Sequence, residues 1–141
     1  MKNLQHGFSI VTAIFLLVVL AGLGAAMVTF STSQSQSSAM DIMGSRAYQA
    51  ARAGIEWAAY QVINNSTCPA GPTNLTSLGG TLAPFTVTVT CATTSPIVGD
   101  SITSFYSVIS VACNAPNAGA CPGTAGNSSY IERQISSKFG K

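Results

Sequence analysis

The first pattern in the chain is an apolar run near its N-terminus. Residues 8–30 contain no charged residue and no proline, and no charge follows before Asp41. A helix rises about 1.5 Å per residue, so a run of this length spans the ~30 Å hydrocarbon core of a bilayer. The run predicts a membrane-spanning helix, with the short segment that holds Lys2 and His6 in the cytoplasm and the chain beyond about residue 30 exported.

The helical pattern continues past the apolar run. Small and apolar residues recur at spacings of three and four, which places them on one stripe of a helix. The stripe comprises Met43, Ala47, Ala50, Ala51, Gly54, Ala58 and Val62, widened by Tyr48, Ile55 and Ala59. The pattern predicts one helix over about 9–63, ended by the polar residues 64–67 and Pro69, with a domain packed on the stripe. We expect Trp57 and Tyr48 to pack between helix and domain, and Arg52 to pair with Glu56 one turn on.

Three segments of the second half have the alternation typical of strands. Residues 85–91 alternate strictly, with their apolar residues on one face and three threonines on the other. Segments 105–113 and 130–139 predict a second and a third strand, while the Gly- and Pro-rich segments 69–80 and 114–129 predict loops. The expected inner faces are Phe85, Val87, Val89 and Cys91; Phe105, Ile109, Val111 and Cys113; and Ile131, Ile135 and Phe139. The predicted fold class is α+β: a long N-terminal helix on a small antiparallel β-sheet.

Four cysteines, Cys68, Cys91, Cys113 and Cys121, all follow the apolar run. In an exported domain they predict two disulfides, and the absence of C-x-x-C spacing disfavours a zinc site. An antiparallel pairing of the first two strands would put Cys91 and Cys113 at opposite ends, which removes one of three connectivities. Of the two that remain, Cys68–Cys91 with Cys113–Cys121 is preferred, because the second bond closes a short Pro/Gly loop.

Composition argues against catalysis and against nucleic-acid binding. Only 7% of residues are charged, six basic and four acidic, which cannot build a basic patch for nucleic acid. The one histidine, His6, lies in the N-terminal segment, and the four carboxylates form no acid–base pair and no Ser/His/Asp set. We therefore expect no enzyme activity, no cofactor and no metal.

The residues Gly7-Phe8-Ser9-Ile10-Val11, followed by an uncharged helix, resemble the class III leader and helix of type IV pilins and type II secretion pseudopilins. The segment 46–57 resembles the A-x-x-A-A-x-A-G signature of PilX-like minor pilins, including the MSHA pilus biogenesis proteins. The resemblance implies a prepilin peptidase cut between Gly7 and Phe8, and N-methylation of Phe8. It divides the chain into a leader (1–7), a transmembrane and filament-core helix (8–30), its amphipathic continuation (31–64) and a β-rich head domain (65–141).

The chain departs from the pilin pattern at one position. Most pilins have Glu as the fifth residue after the cut, where this chain has Thr12. In the family that carboxylate is thought to neutralise the N-terminal amine of a neighbouring subunit, and a buried charge without a partner is costly. A subunit without it should dock poorly beneath another one but can still come first, which suggests a minor subunit at or near the pilus tip. The other interpretation is that Thr12 reflects neutral drift in a subunit that still enters the shaft at low frequency.

Three functions follow from these observations. The first is a structural subunit of a type IV pilus, with other pilins, prepilin peptidase and an inner-membrane assembly platform as partners. Such a subunit starts in the inner membrane and ends in the extracellular pilus. The second is the same part in a type II secretion pseudopilus, and the third is an uncleaved, membrane-anchored exported domain that binds a ligand.

Overall fold

The chain folds into one long helix followed by a small β-sheet. The computed structural model describes residues 8–95, 97–98, 101–102, 104–124 and 126–140. Its elements are α1 (Phe8–Asn65), β1 (Thr73–Leu75), a 3-10 turn (Gly80–Leu82), β2 (Thr86–Thr94), β3 (Ile97–Val98), β4 (Ser101–Ile102), β5 (Phe105–Cys113) and β6 (Glu132–Gly140). The predicted helix and the three longer strands are confirmed, whereas β1, the 3-10 turn and the β3–β4 pair were not predicted.

Two compact units divide the chain after Ala39. The first contains the N-terminal part of α1, and the second, residues 40–141, contains the rest of α1 with the sheet. We call this second unit the head; it is larger than the head domain expected over 65–141, because it also contains residues 40–64 of α1. Its helix packs on the sheet through the stripe predicted from the sequence, because Ala47, Ala50, Ala51 and Ala58 are fully buried.

The main sheet has the strand order β1-β2-β5-β6, with every neighbouring pair antiparallel. The register puts Thr86 opposite Cys113 and Cys91 opposite Val108. Cys113 therefore lies at one end of the β2–β5 pair, and Cys91 lies five residues along β2 from the residue opposite Cys113, so the two cysteines are not cross-strand neighbours. The short strands β3 and β4 pair with each other in the connection between β2 and β5.

The inner face predicted for β5 is wrong. Val89 lies opposite Ser110, and residues that face each other across an antiparallel pair share a face of the sheet. The even-numbered residues of β5 therefore face α1, and Tyr106, Val108, Ser110 and Ala112 are all buried. Of the predicted inner residues, Phe105 and Ile109 are 42% and 38% exposed, while Val111 and Cys113 are buried on the opposite face against Cys121. Because β5 carries apolar residues on both faces, alternation alone does not show which face lies against α1.

The other inner faces agree with the prediction. Phe85, Val87 and Val89 are at most 1% exposed, and Ile131, Ile135 and Phe139 are partly buried against the same core. Trp57 also packs on this core, as expected. Tyr48 does not: its side chain is 53% exposed, because it lies beside the buried stripe and points away from the sheet. Thr88, predicted on the outer face, is only 5% exposed because other residues cover it there.

Gly54 sets how closely α1 approaches the centre of the sheet. A Cβ at this position would overlap Ser110 Oγ and lie 2.7 Å from Val87 Cγ1 and 3.0 Å from Val89 Cγ2. The backbone of α1 thus lies directly against β2 and β5. Ser110 Oγ is fully buried there and has no hydrogen-bond partner among the described residues.

We expect Gly54→Ala to destabilise the head by about 1–3 kcal/mol, because the added methyl group overpacks a tight contact. This loss outweighs the gain in helix propensity of about 1 kcal/mol. The matched control is Gly44→Ala, also in α1, where the nearest atom to the new Cβ is the mobile tip of Arg133 at 3.2 Å. Denaturant unfolding of the full chain in detergent, followed by fluorescence of Trp57, measures both.

Equal stability of the two variants would contradict the proposed role of Gly54. Ser110→Ala provides a second check, since it removes the hydroxyl that the Gly54→Ala methyl group would meet. Combined with Gly54→Ala, it should recover part of the lost stability.

Candidate functional site

The N-terminal part of α1 exposes a continuous apolar surface. Every residue from Ile10 to Phe30 is exposed, and the large side chains among them are 40–71% accessible. This helix is long and apolar enough to cross a membrane by length and composition. Apolar surface of this extent marks a contact with lipid or with other apolar helices. Among the described residues, no atom lies within 4 Å of a Cβ built at Gly22 or Gly24, so contacts within that part of the chain do not require their small size.

One residue of the predicted processing site, Phe8, lies at the start of this helix. Phe8 is the first residue of α1. The predicted leader, residues 1–7 with His6 and Gly7, lies outside the described residues. Thr12 lies on the exposed surface of α1, and the first turn of the helix contains no acidic residue. A carboxylate at position 12 would therefore stand on the same surface as the apolar side chains.

In the head, α1 has a second surface turned away from the sheet. Tyr48, Tyr60 and Ile63 are 53%, 62% and 63% exposed. Between the two tyrosines, Arg52 Nε donates to Glu56 Oε1 at 3.1 Å, which is the ion pair predicted from the sequence. An exposed pair contributes little to stability. This surface combines aromatic rings with one neutralised ion pair, and aromatic residues are frequent in protein interfaces.

All four cysteines form disulfides in the preferred pairing. Cys68 bonds to Cys91, which joins the segment after α1 to β2, and Cys113 bonds to Cys121, which closes the loop after β5. The two bonds differ in environment. Cys113 and Cys121 are 0% and 5% exposed, whereas Cys68 and Cys91 are both partly exposed.

The loop after β5 covers part of the sheet face opposite α1. The backbone N–H of Cys121 donates to Thr88 Oγ1 at 2.7 Å, and that hydroxyl donates to Asn74 Oδ1 at 2.8 Å. This chain of hydrogen bonds links the loop, β2 and β1. It also explains why Thr88 is tolerated in a buried position, since a buried hydroxyl needs partners.

Tyr130 fixes the end of this loop. Its hydroxyl donates to Glu132 Oε2 and accepts the backbone N–H of Gly123 at 2.7 Å. Gly123 is required here, because a Cβ would overlap the carbonyl oxygen of Ala115. Burial, reinforced by the hydrogen bond to Glu132, raises the pKa of Tyr130 above its usual value of 10.0. The contact between Tyr130 and Gly123 was not predicted, because their spacing in the sequence alone does not indicate that they meet.

The described part of the chain offers little for metal chemistry. None of its His, Cys, Asp and Glu side chains form a group of three or more that could hold a metal ion. A cleft of about 420 Å³ lies between α1, on the side of Trp57, and the segment 74–78, which begins in β1. Its lining residues are Ala53, Trp57, Asn74, Leu75, Thr76, Ser77 and Leu78, none of them charged.

The Tyr130 contacts predict a loss of stability at alkaline pH. A tyrosine whose pKa is raised by folding stabilises the folded state below its unfolded pKa of about 10, and this contribution disappears as the pH rises through the folded pKa. We expect the unfolding midpoint of the parent chain to fall between pH 9 and pH 11 by more than that of Tyr130→Phe. Tyr48→Phe, at an exposed position, is the control. The same pH dependence in all three proteins would contradict the role of Tyr130.

Comparison with known proteins does not assign the chain to a family. No protein-family model, no curated protein and no solved structure matches it. What is established is therefore the architecture itself: a long, partly apolar helix, a four-stranded antiparallel sheet packed on the helix within the head, and two disulfides.

Proposed function

We propose that this chain is a minor pilin of a type IV pilus, of the MSHA kind, that helps to start assembly at or near the pilus tip. The observation that carries the proposal is the exposed, uncharged surface of α1 from Ile10 to Phe30, which follows directly on the Gly7-Phe8 pair. A membrane anchor alone needs no processing site of this kind. A subunit that must leave the bilayer and pack into a filament needs both the processing site and the exposed apolar helix.

Two features of the head support the same proposal: its disulfides and the exposed face of its helix. Two disulfides suit an exported domain with few charges and a small core. Within the head, the surface of Tyr48, Tyr60 and Ile63 is the part of α1 that the helices of neighbouring pilins would contact. Its partners are other major and minor pilins, prepilin peptidase and the inner-membrane assembly platform.

The absence of a carboxylate at position 12 gives the subunit its place in the filament. In an apolar filament core, an N-terminal ammonium group needs a partner, because burial of an unpaired charge is costly. This chain offers its own amine to the next subunit but has Thr12 where it would need a carboxylate for the subunit above it. It therefore fits the first position, where there is no subunit above.

Processing is the direct test of the pilin proposal. The full chain is expressed with an active prepilin peptidase, and the product is analysed by intact mass. We expect the loss of residues 1–7 and the gain of one methyl group on Phe8, with neither change in a Gly7→Val control. An intact N-terminus in the presence of an active peptidase would contradict the proposal and favour an uncleaved membrane-anchored domain.

Thr12→Glu tests the position in the filament. The variant subunit gains the carboxylate that pairs with a neighbouring amine, so we expect it to move from the tip into the shaft and the number of pili to fall. Thr12→Gln is the control: its side chain is similar in size to that of Glu but uncharged, so this variant should behave as the parent chain does. Immunogold labelling on isolated pili measures location, and pilus counts measure initiation; no change in either for Thr12→Glu would refute the tip assignment.

A further inference from the structure

The connection between α1 and β2 is held by few contacts. We call residues 66–85 the strap; it leaves the end of α1, contains β1 and the 3-10 turn, and enters β2. Only three residue pairs join β1 to β2. Beyond these, the strap is held by the Thr88–Asn74 hydrogen bond, by a long hydrogen bond of 3.3 Å from the Tyr106 hydroxyl to the carbonyl of Ser66, and by the buried ring of Phe85 at its far end. The partly buried side chains of Leu75, Leu78 and Leu82 also pack on the edge of the core.

One covalent bond adds to these contacts. The Cys68–Cys91 disulfide fixes the start of the strap to the middle of β2, with the two Cα atoms 5.5 Å apart. The core elements α1, β2, β5 and β6 are joined by other contacts: nine residue pairs in each of β2–β5 and β5–β6, and the buried alanine stripe. Opening this disulfide would therefore loosen the strap while leaving the core contacts in place.

The two disulfides differ in their access to a reductant. Cys68 and Cys91 are partly exposed, whereas Cys113 and Cys121 are buried beneath the loop after β5. Thiol–disulfide exchange requires a thiolate to approach one sulfur atom, so its rate depends on access. The segment that holds the buried bond is in addition fixed by the hydrogen bond from the backbone N–H of Cys121 to Thr88 Oγ1.

The strap also covers one side of the single tryptophan. Trp57 lies in the cleft between α1 and strap residues 74–78, and Leu75 and Leu78 pack beside it on the edge of the core. Movement of the strap would bring water to the indole ring. Because the chain has one tryptophan, its fluorescence reports on this site alone.

We propose that Cys68–Cys91 is a dithiol-sensitive lock on the strap, and that its reduction opens the Trp57 cleft while Cys113–Cys121 stays intact. The partner is a dithiol reductant, either a small molecule or the active-site dithiol of a thiol–disulfide oxidoreductase. Its thiolate attacks one sulfur of the bond and forms a mixed disulfide; its second thiolate then resolves that intermediate. Two electrons pass to the chain, Cys68 and Cys91 become thiols, and the reductant becomes a disulfide. This inference concerns the head and does not depend on the pilin proposal.

The test is graded reduction of the full chain in detergent with dithiothreitol, followed by alkylation and peptide mass mapping. We expect Cys68 and Cys91 to be alkylated at least about tenfold faster than Cys113 and Cys121, since exchange follows access. In the same samples, Trp57 emission should move to longer wavelength and become easier to quench with acrylamide. Far-UV circular dichroism should keep the signal of the folded head.

The control is the double variant Cys68→Ser/Cys91→Ser, in which the strap is already free. Its Trp57 emission should resemble that of the partly reduced parent chain and should not respond to mild dithiothreitol. Equal reduction rates for the two disulfides would overturn the proposal. Selective reduction of Cys68–Cys91 with unchanged Trp57 fluorescence would overturn it as well, because the disulfide would then not control the strap.

Discussion

The head depends on the close approach of α1 to the centre of the sheet. A helix can lie this near to β2 and β5 only where its own side chains are absent or small, and Gly54 with the four buried alanines supplies such a surface. The short distance lets Val87 and Val89 reach the helix backbone where Gly54 has no side chain. A small domain with few large core residues thereby gains dense packing, which a wider spacing would lose.

The two disulfides fix the segments that the small core does not stabilise. The strands β2, β5 and β6 pair along their full length, but the strap and the loop after β5 contain little regular structure of their own. Each of these two segments is fixed to the sheet by one disulfide and by hydrogen bonds from side chains, with Thr88 serving both. Constraining such segments lowers the entropy of the unfolded chain, where the core alone gives limited stability.

Much of this architecture could be predicted from local patterns. Periodicity predicted α1 and its buried stripe, and strict alternation predicted the inner face of β2, because in both elements the apolar residues lie on one side only. The same reasoning was wrong for β5, whose two faces are both covered in part, one by α1 and the other by the loop that carries Cys121. It also missed β1, which has only three residues, and the meeting of Tyr130 with Gly123, which depends on how the loop folds back. For the candidate processing site, the sequence contributed the residues and the structure contributed the exposed apolar surface that follows Phe8.

The position of β6 at the edge of the sheet has a consequence for chains at high local density. An edge strand presents unpaired backbone groups that can recruit a strand from another molecule, and this is a common route to aggregation. β6 has nine residues, long enough for such pairing, but it carries Glu132, Arg133 and Lys138, so a strand added here would have to accommodate charges of both signs at close range. Natural proteins use charged edge residues in this way to prevent unwanted pairing. The charged side chains of β6 thus disfavour strand pairing through this edge wherever heads are crowded together.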